Sequence, residues 1–163
     1  MIELQLKLLS DQRRNSAFYE ALREAIHPGE SVVADIGSGT GFLSFMASKL
    51  GAKECYLYEY DDELVALSKR LSALNRVRGV HFVARHTSSV KRPVKVDIVV
   101  SETLGNYALE ENIIENLEDA RRFLKKNLFA PLLLTMLMTT PAVPTVMSCE
   151  PVETWMFSKV VGT

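Results

Sequence analysis

Val32-Val33-Ala34-Asp35-Ile36-Gly37-Ser38-Gly39-Thr40-Gly41 is the stretch that decides the fold. An apolar run of strand length enters three glycines at every second position, and a helical pattern starts directly behind them with Phe42, Leu43, Phe45 and Met46. Glycine lets the backbone turn sharply and approach a ligand closely, and the helix behind it presents N–H groups that have no partner within the helix. The dinucleotide pattern G-x-G-x-x-G fails here, because Phe42 stands where its third glycine belongs. The pattern present is D-x-G-x-G-x-G.

Working outward, residues 10–26 read as a helix with Ala17, Phe18, Ala21, Leu22, Ala25 and Ile26 on one face, stopped by His27-Pro28-Gly29. Residues 31–36 form the first strand and 41–50 the helix after the glycine loop. A second strand is expected at 54–58. Asp61 caps the next helix, whose Leu64, Leu67, Leu71 and Leu74 make an apolar stripe. Further strands are expected at 80–84, at 94–100, where a near-continuous Val/Ile run suits a strand buried on both faces, and at 132–139. A helix is expected over 112–126. Alternating strands and helices predict an α/β fold: a mostly parallel sheet flanked by helices in a three-layer α/β/α sandwich, Rossmann-like, with the ligand beyond the carboxyl ends of the strands.

Two carboxylates stand where such a ligand would lie. Glu59 ends the second strand, where it can accept both hydroxyls of a ribose. Glu102 ends the run Val96-Asp97-Ile98-Val99-Val100-Ser101, and Glu111 follows nine residues later, beyond a Gly105-Asn106 turn that can fold the loop back. Two carboxylates facing one pocket repel each other unless a cation lies between them, and a planar guanidinium fits that need. The plainer alternative is a strand-end acid and a helix-start acid favoured by the helix dipole.

The glycine pattern with Glu59 resembles motif I of class I S-adenosylmethionine-dependent methyltransferases. Ser101-Glu102, Gly105 and Glu111 resemble the double-glutamate loop of the protein arginine methyltransferases, and Leu9-Ser10-Asp11-Gln12-Arg13-Arg14 resembles that family's Asp-x-x-Arg helix segment. The resemblance runs from about Leu9 to Leu128. It implies S-adenosylmethionine as cofactor and S-adenosylhomocysteine as product. Asp35, Gly37, Ser38, Gly39, Thr40 and Gly41 would shape the cofactor loop, Glu59 would hold the ribose and Arg14 the methionine carboxylate. Thr87 and Ser88 would lie by the adenine, and Glu102 and Glu111 would grip a cationic nitrogen acceptor, with Glu102 also bordering the cofactor. The acceptor is expected to be a protein arginine or a small-molecule amine; a cofactor-binding module without catalysis of its own is the reading from another class. An adenine-N6 enzyme lacks support, since Ser101-Glu102-Thr103-Leu104 replaces its Asn/Asp-Pro-Pro-aromatic motif.

Composition agrees with a globular chain: 163 residues, 47% hydrophobic and 24% charged, with a formal net charge of -1. That charge exerts no overall pull on nucleic acid, which is not expected as a partner, although it leaves room for a local basic patch. Cys55 and Cys149 have no metal-ligand spacing, so no metal is expected, and Cys55 reads as a core thiol. The apolar stretch 128–138 is broken by Pro131 and falls short of the ~20 residues of a membrane span. A soluble cytoplasmic protein is expected, with an oligomer neither indicated nor excluded. Residues 1–140 are expected to form the cofactor domain. Residues 141–163, punctuated by Pro141, Pro144 and Pro151, are expected to be an irregular tail or the vestige of a substrate domain. His27, His81 and His86 read as surface or loop residues.

Overall fold

The computed structural model describes residues 9–104, 118–125, 132–136 and 145–147. Helix α1 (Gln12–Ala25) precedes strand β1 (Val32–Ile36), helix α2 (Phe42–Lys49), strand β2 (Glu54–Glu59), helix α3 (Asp62–Leu74) and strand β3 (Val80–Ala84). A 3-10 turn η1 (Thr87–Ser89) follows, then β4 (Ile98–Leu104), β5 (Leu132–Met136) and β6 (Thr145–Met147). Residues 118–121 are also helical. The strands form one sheet in the order β3-β2-β1-β4-β5-β6. Every pairing is parallel except that of β6, which runs antiparallel to β5. The order reverses between β1 and β4, and in an open sheet of this kind that is where a crevice opens beyond the strand ends.

Because side chains alternate along a strand, β1 and β4 each feed two cores. Val33, Ile98 and Val100 face one side with Cys55 and Leu57, and there they meet Phe18, Leu22 and Ile26 from the α1 region and Leu43 and Ala47 from α2. Ala34, Ile36, Tyr58 and Val99 face the other side and meet Ala120, Phe123 and Leu124. The Phe123 ring stands edge-on to Tyr58, with centroids 4.9 Å apart. Burying one such side chain contributes about 1.5–3 kcal/mol relative to leaving it in water. Cys55 is fully buried, and burial pushes its thiol up to about 12, which makes it inert as expected.

Helix ends follow the sequence. The Asp11 carboxylate accepts from the Arg14 N–H (3.0 Å) at the start of α1. The Asp61 carboxylate accepts from the Glu63 and Leu64 N–H groups (2.9 and 3.2 Å) at the start of α3. His27, His81 and His86 are exposed, as expected.

Three expectations need correction. The fourth strand is not 94–100 but Ile98–Leu104. Val94 is 41% exposed, and Val96 makes only an isolated bridge to Leu124. Ser101 and Glu102 continue the strand because backbone pairing with β5 carries it on, past a register shift between Ser101 and Leu104. Of the leucine stripe expected on α3, Leu64 is buried, Leu67 and Leu71 are half-buried and Leu74 is 72% exposed, and Val65, Ser68 and Ser72 complete the buried face. Small residues are needed there because Ser68 lies against Gly41. Thr145–Met147, inside the stretch expected to be irregular, adds a strand to the sheet. Of the helix expected at 112–126 and the strand at 132–139, residues 112–117, 126 and 137–139 lie outside the described residues. Among the described residues no helix is long and apolar enough to cross a membrane.

Candidate active site

The loop after β1 is held by its neighbours rather than by its own side chains. Gly37 and Ser38 donate their N–H groups to the Tyr58 carbonyl (2.9 and 3.1 Å), and Gly41 closes a tight turn onto the Ser38 carbonyl (2.7 Å). Gly37, Gly39 and Gly41 adopt φ of 67°, 52° and 82°, the left-handed region that favours glycine. At Gly41 a second constraint applies. A Cβ there would run into Ser68 Oγ, Phe45 Cζ (2.8 Å) and Leu57 Cδ2 (2.9 Å). Thr40 is buried and Ser38 half-buried.

Asp35, the last but one residue of β1, is 1% exposed. One of its oxygens accepts from both the Ser44 N–H (3.1 Å) and the Ser44 hydroxyl (2.8 Å). Burial raises its carboxyl to about 7; the two Ser44 bonds oppose that shift, while Glu102 and Glu59 add to it. Ser44 was not singled out from sequence. Its signal is a hydroxyl in the first turn of α2, where N–H groups lack helical partners, directly behind a buried strand acid.

Glu59 closes β2 with 7% exposure. Its Oε2 accepts from the Gly39 N–H (2.9 Å), and its Oε1 accepts from the Tyr60 and Asp61 N–H groups (2.8 and 3.0 Å). Three backbone donors thus orient a carboxylate toward the glycine loop; Oε1 already accepts two of them, and Oε2 keeps lone-pair capacity for a further donor.

Arg14 is the buried cation among the described residues, at 6% exposure. It extends from α1 over the Phe18 ring (5.5 Å) and donates to Asn15 Oδ1 (3.2 Å), and it forms an ion pair with Glu102. The side chains of this pair are 7% and 12% exposed. Glu102 lies near the end of β4, and burial raises its carboxyl to about 7; Arg14 pulls it back, while Asp11 pushes it further up. Its Oε1 is buried with no hydrogen-bond partner among the described residues. Sequence reasoning placed Arg14 and Glu102 in one crevice but did not pair them.

Thr87 and Ser88 lie beyond the carboxyl end of β3, in η1. Thr87 is buried, and its carbonyl accepts from Arg122 (3.2 Å); the Ser88 hydroxyl is 2.8 Å from His86 Nδ1. Glu111 lies outside the described residues. The geometry therefore brings Asp35, Glu59, Glu102 and Arg14 around one glycine loop at the switch point: three carboxylates and one guanidinium.

Residues 17–129 match the model of the ribosomal protein L11 methyltransferase (PrmA) family. Protein arginine N-methyltransferase 2 of Xenopus tropicalis is 33% identical over 129 residues, which are 77% of this chain and 30% of that protein. Among solved structures, Arabidopsis thaliana protein arginine methyltransferase 10 superposes with a TM-score of 0.71 at 25% identity, over 81% of this chain and 38% of that one. The Trypanosoma brucei PRMT1 enzyme-prozyme heterotetrameric complex with AdoHcy superposes with a TM-score of 0.69 at 24% identity, over 79% of this chain and 41% of that one. The chain thus spans 30% of the length of the Xenopus tropicalis relative, and 23% and 14% of the lengths of others it matches.

Proposed function

Since the chain belongs to the PrmA family of S-adenosylmethionine-dependent methyltransferases, we propose that it transfers a methyl group to a nitrogen acceptor and that the acceptor is a protein arginine. The observation that carries the acceptor is Glu102: a carboxylate buried beside the glycine loop, with one oxygen on Arg14 and the other left without a described partner. A buried acceptor oxygen of this kind costs about 1–3 kcal/mol until a donor reaches it, and an incoming guanidinium brings several donors and a fixed positive charge.

The described residues fit the cofactor on two counts. Gly37 and Gly39 hold left-handed φ of 67° and 52°, so the turn carries no side chain at these positions that would stand against a ligand. The Glu59 carboxylate is also already oriented by three N–H donors. In this reading Glu59 holds the ribose hydroxyls and the loop from Gly37 to Gly41 lies against the cofactor. Thr87 and Ser88 border the adenine, and Arg14 receives the methionine carboxylate. Bound there, S-adenosylmethionine supplies a methyl group made electrophilic by the sulfonium. Glu102, with Glu111 as its expected partner, orients one guanidinium nitrogen toward that methyl group and holds the positive charge on the others. Positioning and preorganised charge then provide most of the rate.

The test is transfer from radiolabelled S-adenosylmethionine to arginine-rich peptides, to the same peptides with lysine in place of arginine, and to small amines. Labelled methylarginine in the first arm alone, abolished by Glu102→Gln in protein that circular dichroism shows to be folded at the assay temperature, is the expected result. Equal transfer by Glu102→Gln and the parent chain would remove Glu102 from the mechanism.

A further inference from the structure

The charge of the chain is unevenly distributed. Residues 64–96 contain eight of its 19 Lys and Arg (Lys69, Arg70, Arg76, Arg78, Arg85, Lys91, Arg92 and Lys95), and all 20 Asp and Glu lie elsewhere. These cations lie in the second half of α3 (Lys69, Arg70), just before β3 (Arg76, Arg78) and beyond its end (Arg85, Lys91, Arg92, Lys95), and all eight are exposed. Among the described residues none of them forms an ion pair. β3 is an edge strand, so no further strand covers this side of the sheet among the described residues.

The stripe has shape as well as charge. A recess of about 540 Å³ is lined by Arg85, Ser89, Val90, Lys91 and Arg92. Arg122 fixes the loop that forms it, donating to the carbonyls of Val90 (3.1 Å) and Thr87 (3.2 Å), so the backbone between Arg85 and Lys91 is tied down. Aromatic rings accompany them. Tyr60, 71% exposed, lies 6.0 Å from the His86 ring, and Tyr56 stacks on His81 of β3 at 4.7 Å. From Arg78 to Arg85 the extended chain spans roughly 20 Å at about 3.3 Å per residue. That is the length of about six phosphates in one strand of a duplex.

We propose that the β3 edge is a binding surface for a nucleic-acid strand, with phosphates on Arg76 and Arg78 before β3 and on Arg85, Lys91 and Arg92 after it, and bases on the exposed rings. Interleaved cations and aromatic faces are what a single strand requires; an acidic polypeptide would use the charge but not the rings. The net charge of -1 hides this surface, and for that reason the sequence as a whole suggested no such partner.

Fluorescence anisotropy of labelled 20-mer RNA and DNA, with polyglutamate as a third ligand, tests the proposal on the full chain at several salt concentrations. Micromolar binding of an oligonucleotide in 50 mM salt is expected, and the tighter of the two names the source of the phosphates. Arg85→Gln/Lys91→Gln/Arg92→Gln should weaken binding at least tenfold and reduce the log–log salt slope by about 2, since each phosphate contact on a single strand contributes about 0.7. Tyr60→Ala should weaken it at least fivefold, the lower end of a base stack at about 1–3 kcal/mol. Lys49→Glu, on α2, should leave it unchanged; all variants should keep the parent melting temperature, and Lys49→Glu and the triple variant should also keep the calorimetric affinity for S-adenosylhomocysteine. The proposal is overturned if neither oligonucleotide binds at 100 µM protein, if the folded triple variant binds within twofold of the parent, or if polyglutamate binds as tightly as the oligonucleotides.

Discussion

Replacing Gly41 with alanine perturbs the cofactor loop at a single carbon, and its cost follows from the geometry. At φ +82° an L-residue is in the left-handed region, which costs about 1–2 kcal/mol. The new methyl meets Ser68 Oγ, Phe45 Cζ (2.8 Å) and Leu57 Cδ2 (2.9 Å), and overpacking of a close-packed site costs about 1–3 kcal/mol. A less flexible unfolded chain offsets about 0.4–1 kcal/mol of this. The net loss is about 2–4 kcal/mol, which for a domain of this size lowers the melting temperature by roughly 4–16 °C. Ser68 offers an internal control. Its hydroxyl is buried and has no hydrogen-bond partner among the described residues, so Ser68→Ala alone should be neutral or slightly stabilising. In the Gly41→Ala background it removes one of the three clashes and should recover about 1 kcal/mol, an interaction of the size contacting residues show. Urea denaturation of the four proteins of this cycle measures both quantities. Coincident midpoints for the parent and Gly41→Ala, or strict additivity of the two substitutions, would refute the steric account of the loop.

Two further predictions concern ionisation. Asp35 is raised to about 7 in the folded chain from 3.8, so the folded state binds the more protons between those values and stability falls as pH rises through that window. Asp35→Asn keeps an oxygen for both Ser44 donors and removes the buried charge; its melting temperature should exceed the parent's at pH 8, with a margin that shrinks toward pH 4. A margin independent of pH would contradict this. Arg14→Ala leaves the Glu102 carboxylate buried without its cation, a change that costs about 3–5 kcal/mol when the acid is ionised. Because Glu102 is itself raised to about 7, the loss should be large at pH 8.5 and much smaller at pH 5.5, where the acid is protonated. Thermal melts at the two pH values decide, and equal losses would show that the pair is not an ionic one.

The parts legible in the sequence are those with a local cause. Three glycines before a helix, and acids at N-cap positions, act within a few residues, so the loop, α1 and the start of α3 could be read directly. Glu59 was legible because its position follows from where β2 ends. What could not be read depends on distant chain. Asp97 appears in sequence as an acid entering a strand, yet its carboxylate accepts from the Val32 N–H (2.9 Å) and Lys125 Nζ (2.7 Å), tying β1 to the segment after the 118–121 helix. The leucine stripe of α3 misleads beyond Leu64 because the helix also packs Ser68 against Gly41, a contact with distant chain. Strand β4 begins late because hydrophobicity marks burial rather than pairing, and Ser101 joins the sheet through its backbone and through its hydroxyl, which donates to the Ile36 carbonyl (2.8 Å). Arg14 and Glu102 are 88 residues apart, and no spacing rule joins them.

The clasp between Glu59 and Gly39 bears on how a ligand is received. Because the Gly39 N–H is already engaged (2.9 Å), the tip of the loop is tied to the end of β2 in the ligand-free chain, and its amide should be protected from hydrogen exchange without any additive. Chain ordering that would otherwise be charged against affinity is completed during folding. Association with such a loop resembles docking onto a fixed surface, with backbone shifts small on the scale of most rigid complexes. Differences in ligand lifetime between variants then reflect contacts made or lost, and not how often the loop happens to be closed.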